Sequence, residues 1–190
     1  MKKLSESVWS DIHKRSNGEQ LRKEDTYKFN IDELKEIDLG PQVPFYWADI
    51  DLKANGDTEF NRDTVDEMLP QIKKTGWRLP YGPFELKSFI KSIIRYNCFT
   101  AEFKSYFYGI IRNEDTGTSL KFDISNEFGE SYWAEDDYRK TYPNERVASN
   151  TERSFYVGEE YFEGNKKMCL ISTNNRERHQ KAKIRLVKDK

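Results

Sequence analysis

Asp49 and Asp51 stand two residues apart in Ala48-Asp49-Ile50-Asp51-Leu52, a spacing that puts both carboxylates on one face of a strand. A glycosidase needs two carboxylates across a cleft, and nothing in the chain supplies the opposite wall. Alternation with Ala48, Ile50 and Leu52 explains the pair equally well as a polar face. His13 and His179 lie in charged surroundings. A catalytic histidine requires an orienting partner and a nucleophile, and neither a Gly-x-Ser-x-Gly nor a Cys–His arrangement is present. There is no phosphate-cradling glycine loop. Cys98 and Cys169 are far apart, without metal-ligand spacing. They read as small buried hydrophobes in a reducing compartment, with a disulfide left open. Calcium requires several convergent oxygens. The nearest acidic cluster, Glu135-Asp136-Asp137, reads as a solvated loop. The chain is therefore expected to be no enzyme and to hold no metal and no cofactor.

Binding chemistry has better candidates. The segment Glu135 to Thr151 carries Tyr138, Arg139, Tyr142 and Arg146, residue types enriched at binding hot spots. It is either a partner- or ligand-binding loop or a solvent loop. Trp77 and Arg78 read first as a core anchor and an arginine paired with a nearby carboxylate, and second as ligand contacts. The run Arg176 to Lys181 mixes signs and reads as a solvated turn. The 190 residues carry 32 basic and 33 acidic side chains, so no overall field draws nucleic acid or an anionic membrane. No apolar run approaches the roughly 18 residues of a membrane span, and the N-terminus lacks the apolar region of a secretory signal. Hydrophobic residues reach only 36%, yet 12 Phe, 11 Tyr and 4 Trp can build an aromatic core.

These residues must be positioned by a body spanning 30–190, preceded by a leader over 1–29. In the leader, Leu4, Val8, Trp9 and Ile12 form a short helical stripe, followed by a polar linker. So small a stripe cannot hold a helix alone, so it docks either on the body or on another chain. The body begins with a predicted short helix over Asn30 to Ile37 and a strand over Val43 to Leu52. A helix follows from Thr64 to about Ile72, capped by Asn61 or Asp63, with Pro70 threatening its end. Gly76 and Trp77-Arg78-Leu79-Pro80 then lead through a turn into an amphipathic helix. It presents Phe84, Leu86, Phe89, Ile90, Ile93 and Ile94. Strands are predicted from Cys98 to Ile111 (at least from Ser105), Ser119 to Ile124 after a hairpin turn, and Gly129 to Trp133. Others follow at Phe155 to Val157, Lys167 to Ser172 and Lys181 to Val187. In the last, Ala182, Ile184 and Leu186 alternate with Lys183 and Arg185. Two or three short helices and about six antiparallel strands make an α+β domain.

The order of motifs over about 37–188 resembles the WRLPT-type modules of the Fibrobacter succinogenes major paralogous domain family. The resemblance rests on Leu39-Gly40, Tyr46-Trp47-Ala48, Trp77-Arg78-Leu79-Pro80, Gly117 to Phe122, Ser131-Tyr132-Trp133 and Ile184 to Val187. Tyr81 replaces the usual Thr, and Gly82-Pro83 the usual acidic helix start. The resemblance implies a C-type-lectin-like fold with Trp47, Trp77 and Trp133 in its core. It also implies a ligand surface on the long late loop. The Glu-Pro-Asn, Gln-Pro-Asp and Trp-Asn-Asp signatures of calcium-dependent sugar binding are absent. The leader resembles those of Bacteroides and crAss-like phage proteins. That implies a structural component of a virion, such as a head fibre, capsid decoration or tail protein. Its leader would dock onto other virion proteins or copies of itself. A host-encoded carbohydrate- or protein-binding module is the alternative.

Overall fold

The computed structural model describes residues 27–82, 84–96, 98–136, 150–162 and 166–190, with side chains at 94, 95, 159–162 and 166–170 left aside. The leader stripe Leu4, Val8, Trp9 and Ile12 and the loop residues Tyr138, Arg139, Tyr142 and Arg146 lie outside the described residues. Among the described residues the architecture is mixed, with two helices and many antiparallel strands in open sheets. Among the described residues no helix is long and apolar enough to cross a membrane.

The chain enters through a single 3-10 turn, Ile31–Glu33, and a short strand β1, Glu36–Ile37. The expected helix over Asn30 to Ile37 does not form. Asn30 makes no cap bond. Its side chain reaches across to Lys53 N (2.7 Å) and the Asp51 carbonyl (3.2 Å), so a tertiary clamp replaces the local cap. Strand β2, Phe45–Ala48, lies between β1 and the closing strand β11, Val187–Asp189, antiparallel to both. It is shorter than the predicted strand because the chain bends at Asp49 and Ile50.

Helix α1, Arg62–Lys73, is capped by Asn61, whose Oδ1 accepts from the Thr64 amide at 2.9 Å. Pro70 does not end it. The lost N–H is offset by the buried face of Val65, Met68, Leu69 and Ile72. Gly76, at φ +82°, turns the chain out of the helix. Trp77 to Pro80 then runs beside β11, with Arg78 and Val187 exchanging backbone hydrogen bonds of 2.9 and 2.8 Å. Strand β3, Tyr81–Gly82, precedes helix α2, Phe84–Arg95. Leu86 and Phe89 of α2 are buried, whereas Phe84 faces solvent.

The predicted strand from Cys98 is a hairpin: β4, Phe99–Lys104, and β5, Tyr108–Asn113. Strand β6, Thr118–Asp123, extends that sheet after the expected turn at Gly117. Strand β7, Gly129–Trp133, joins β9 and β10, the 12-residue strands Thr151–Phe162 and Lys166–Glu177. Strand β8, Glu135–Asp136, pairs in parallel with β3.

Two apolar clusters form among the described residues. One gathers Trp47, with Phe45, Phe89, Phe122 and Phe155 at ring-centroid distances of 5.4–6.0 Å. The other holds the inner face of α1 together with Trp77, Leu79, Trp133, Ala182, Ile184 and Leu186. All three core tryptophans named by the resemblance are buried. The Trp133 indole donates to the Phe60 carbonyl at 2.7 Å, which satisfies its one polar atom.

Candidate binding surface and the ionic interior

Trp77 and Arg78 take opposite sides of their strand. Trp77 packs inward. Arg78 makes a two-pronged bond to Glu85 at the start of α2 (3.0 and 2.6 Å) and bonds Asp189 of β11 at 3.1 and 2.5 Å. Its guanidinium also lies 4.6 Å from the Tyr81 ring centroid. Burial opposes the charge, but the bonds to Glu85 and Asp189 outweigh it, and the guanidinium is held firmly charged. Arg78 is thus a cross-brace between α2 and the closing strand.

Asp49 and Asp51 do not share a face. Asp49 accepts from the Lys35 amide at 2.8 Å near the surface. Asp51 points inward to Arg185, whose Nε donates to Oδ1 at 2.6 Å. The expected strand over Lys181 to Val187 does not form: Ala182 and Lys183 make isolated bridges to Phe60 and Tyr132, and β11 begins only at Val187. Arg185 and Lys183 still face away from Ala182, Ile184 and Leu186. Their side of the segment is nevertheless buried, because it faces β7 and β6 rather than water. Arg185 further donates to the carbonyls of Ala48 (3.1 Å), Asp49 (2.8 Å) and Lys121 (2.9 Å), and stacks 4.8 Å from the Phe122 ring centroid. Lys183 contacts Glu130, donates to the Asp123 carbonyl at 3.0 Å and lies 4.0 Å from Asp51 Oδ2. Glu130 also accepts from the Ser125 hydroxyl (2.5 Å) and the Asn126 amide (3.0 Å). Beside these groups the Tyr132 hydroxyl is buried with no hydrogen-bond partner among the described residues. Burial, then the charge of Asp51, pushes its ionisation well above the ordinary tyrosine range.

A second network ties α1 to the far end of β9 and β10. Arg178 bonds Asp63 at 2.6 Å, Asp66 at 2.7 Å and Glu152 at 2.8 Å, so the run Arg176 to Lys181 is anchored at its centre rather than solvated throughout. His179 is exposed and lies 3.4 Å from Glu177. Cys98 is a free, half-buried thiol. Among the described residues no group of His, Cys, Asp and Glu has the arrangement of a metal site.

The surface offers what the sequence does not announce. Tyr106, Phe107 and Phe128 are 62%, 60% and 73% exposed. Tyr106 and Phe107 form the tip of the β4–β5 hairpin, and Phe128 the turn before β7. The two tips are stitched together: Tyr106 N donates to the Asn126 carbonyl at 3.2 Å, and Ile124 N to the Phe107 carbonyl at 3.3 Å. Asn126 shapes the second tip by accepting from the amides of Phe128 (3.0 Å) and Gly129 (2.8 Å). Gly129 and Gly158 sit opposite each other in the ladder. A Cβ on Gly158 would fall 2.2 Å from the Tyr156 ring and 2.6 Å from the Phe128 carbonyl, so a glycine there lets the tip lie against β9. Tyr106 holds φ +61°, a region a bulky side chain rarely occupies and one that stores local strain. Lys104 Nζ lies 4.6 Å from the Phe107 ring centroid, and Tyr108 donates to Glu102 at 2.8 Å, giving the apolar patch a polar rim.

Comparison of the chain with protein-family models, with curated proteins and with solved structures found no match.

Proposed function

We propose that this chain is a non-enzymatic structural and binding protein. A C-type-lectin-like body presents the Tyr106, Phe107 and Phe128 surface, and the N-terminal leader docks onto a neighbouring chain of a Bacteroides phage virion. The observation that carries the binding role is the joining of two loop tips to expose three large aromatic side chains. Such groups are ordinarily buried, and they are enriched at protein interfaces. Two further features support a scaffold reading of the Trp77 to Pro80 motif. Trp77 is packed inward, and Arg78 braces the closing strand, so neither is left to meet a ligand. The virion assignment rests on the leader's resemblance to crAss-like phage proteins. Mass-spectrometric detection of this chain in purified particles tests it. Deleting 1–25 tests the anchor: the truncated body should remain folded but fail to assemble with its partners. Assembly of the truncated protein would overturn the docking role.

A host-encoded carbohydrate-binding module is the second reading, favoured by the same exposed rings, whose faces suit the C–H side of a sugar. Binding on a glycan array that is lost with Phe107→Ser and Phe128→Ser would select it over the virion reading.

A further inference from the structure

We propose that the body staples itself covalently, with the Lys183 amine condensing onto the Asp51 carboxyl to form an intramolecular isopeptide bond and Glu130 moving the protons. Three groups of the required chemistry meet in one buried place. Lys183 Nζ lies 4.0 Å from Asp51 Oδ2 and is in direct contact with Glu130. The backbones that carry them are fixed. Lys183 is pinned to β7 through Lys183 N to the Ser131 carbonyl (2.9 Å) and Trp133 N to the Lys183 carbonyl (3.0 Å). Leu52 N, next to Asp51, donates to the Ile184 carbonyl, next to Lys183, at 2.9 Å. The amine and the carboxyl thus start close together with little freedom to lose, the condition under which intramolecular reactions gain most.

The step balances within the chain. Glu130 takes a proton from the Lys183 ammonium and frees its lone pair. The amine attacks Asp51 Cγ. Arg185, already on Oδ1 at 2.6 Å, holds the negative charge that develops there. Glu130 returns that proton to Oδ2 and then relays to it the second amine proton, so that Oδ2 leaves as water. One water leaves, one C–N bond forms, one C–O bond breaks, and Glu130 ends as it began. No oxidant, metal or cofactor enters. Burial also pushes the Asp51 carboxyl upward against the pull of Arg185 and Lys183, which favours its protonation as the amine attacks. The reaction is a single self-modification, so it goes beyond the binding role proposed above and does not depend on it.

Intact mass of the purified full-length chain tests the staple. The folded protein should weigh one water less than its sequence, and digestion should release a branched peptide joining Asp51 to Lys183. Lys183→Arg and Glu130→Gln should each restore the full sequence mass. A folded wild-type protein of full sequence mass would overturn the proposal, as would a cross-link from Lys183 to Glu130. A bond that still forms in Glu130→Gln would overturn the proton-transfer role of Glu130. Should either variant fail to fold, the wild-type mass and branched peptide alone decide.

Discussion

The interior around Arg185 and the tips around Tyr106 invert the usual distribution of residue types. Charges are inside, and large aromatic rings are outside. Arg185 is enclosed by Asp51 and three backbone carbonyls. Phe128 and its neighbours face water. A buried charge persists only where its partners are built in beforehand, so the interior network specifies which segments meet. Exposed rings gain nothing for the isolated fold. Their placement is therefore better explained by what they contact outside the chain. One region fixes the architecture, and the other is free to serve a partner.

The contrast can be broken in order of expected effect. In the unstapled Glu130→Gln protein, Arg185→Met removes one side of the interior network and strands the Asp51 carboxylate. It should destabilise the body by about 3–5 kcal/mol in chemical denaturation, and a loss below about 1 kcal/mol would mean the network organises nothing. Adding Asp51→Leu to that variant should restore much of the loss, because the orphaned charge goes with it. At the tips, Tyr106→Ser, Phe107→Ser and Phe128→Ser together should change stability by no more than about 0.5 kcal/mol each, while partner binding falls at least tenfold. A large stability loss would make the rings structural. The smallest effect belongs to Tyr132→Phe. Its hydroxyl has no partner among the described residues, so near neutrality the variant should match or slightly exceed the parent in stability. The sign with pH is fixed by the raised ionisation of Tyr132 in the folded state. Its contribution is complete below the ordinary tyrosine value of about 10 and is lost as pH rises above it, when the unfolded chain ionises first. Thermal unfolding against pH should therefore show a shallower alkaline decline in Tyr132→Phe.

Local periodicity made part of this legible. Val65, Met68, Leu69 and Ile72 mark α1, and its Asn61 cap can be read three residues ahead of Thr64. The pairing of Arg78 with a carboxylate was anticipated in kind, although Glu85 and Asp189 could be named only from the fold. The burial of Lys183 and Arg185 was not legible, because alternation tells two faces apart without saying which of them meets water. Their partners Asp51 and Glu130 are remote in sequence. The β4–β5 tip is illegible for a different reason. The left-handed position is filled by Tyr106, where a glycine or asparagine would have signalled a turn. By composition Phe107 and Phe128 do not differ from core rings, since sequence alone does not separate a ring that is buried from one that is displayed.

The closing segment also sets when the body can fold during synthesis. Val187 completes one apolar cluster, Ala182, Ile184 and Leu186 complete the other, and Arg185 neutralises the buried Asp51. Until residues 182–189 have cleared the ribosome, β2 lacks one of its two neighbours and Asp51 faces an unfinished interior. Domains generally fold as units while chains emerge from the N-terminal end. This one must wait for its last strand, so an interrupted translation product exposes both half-built cores to chaperones and proteases.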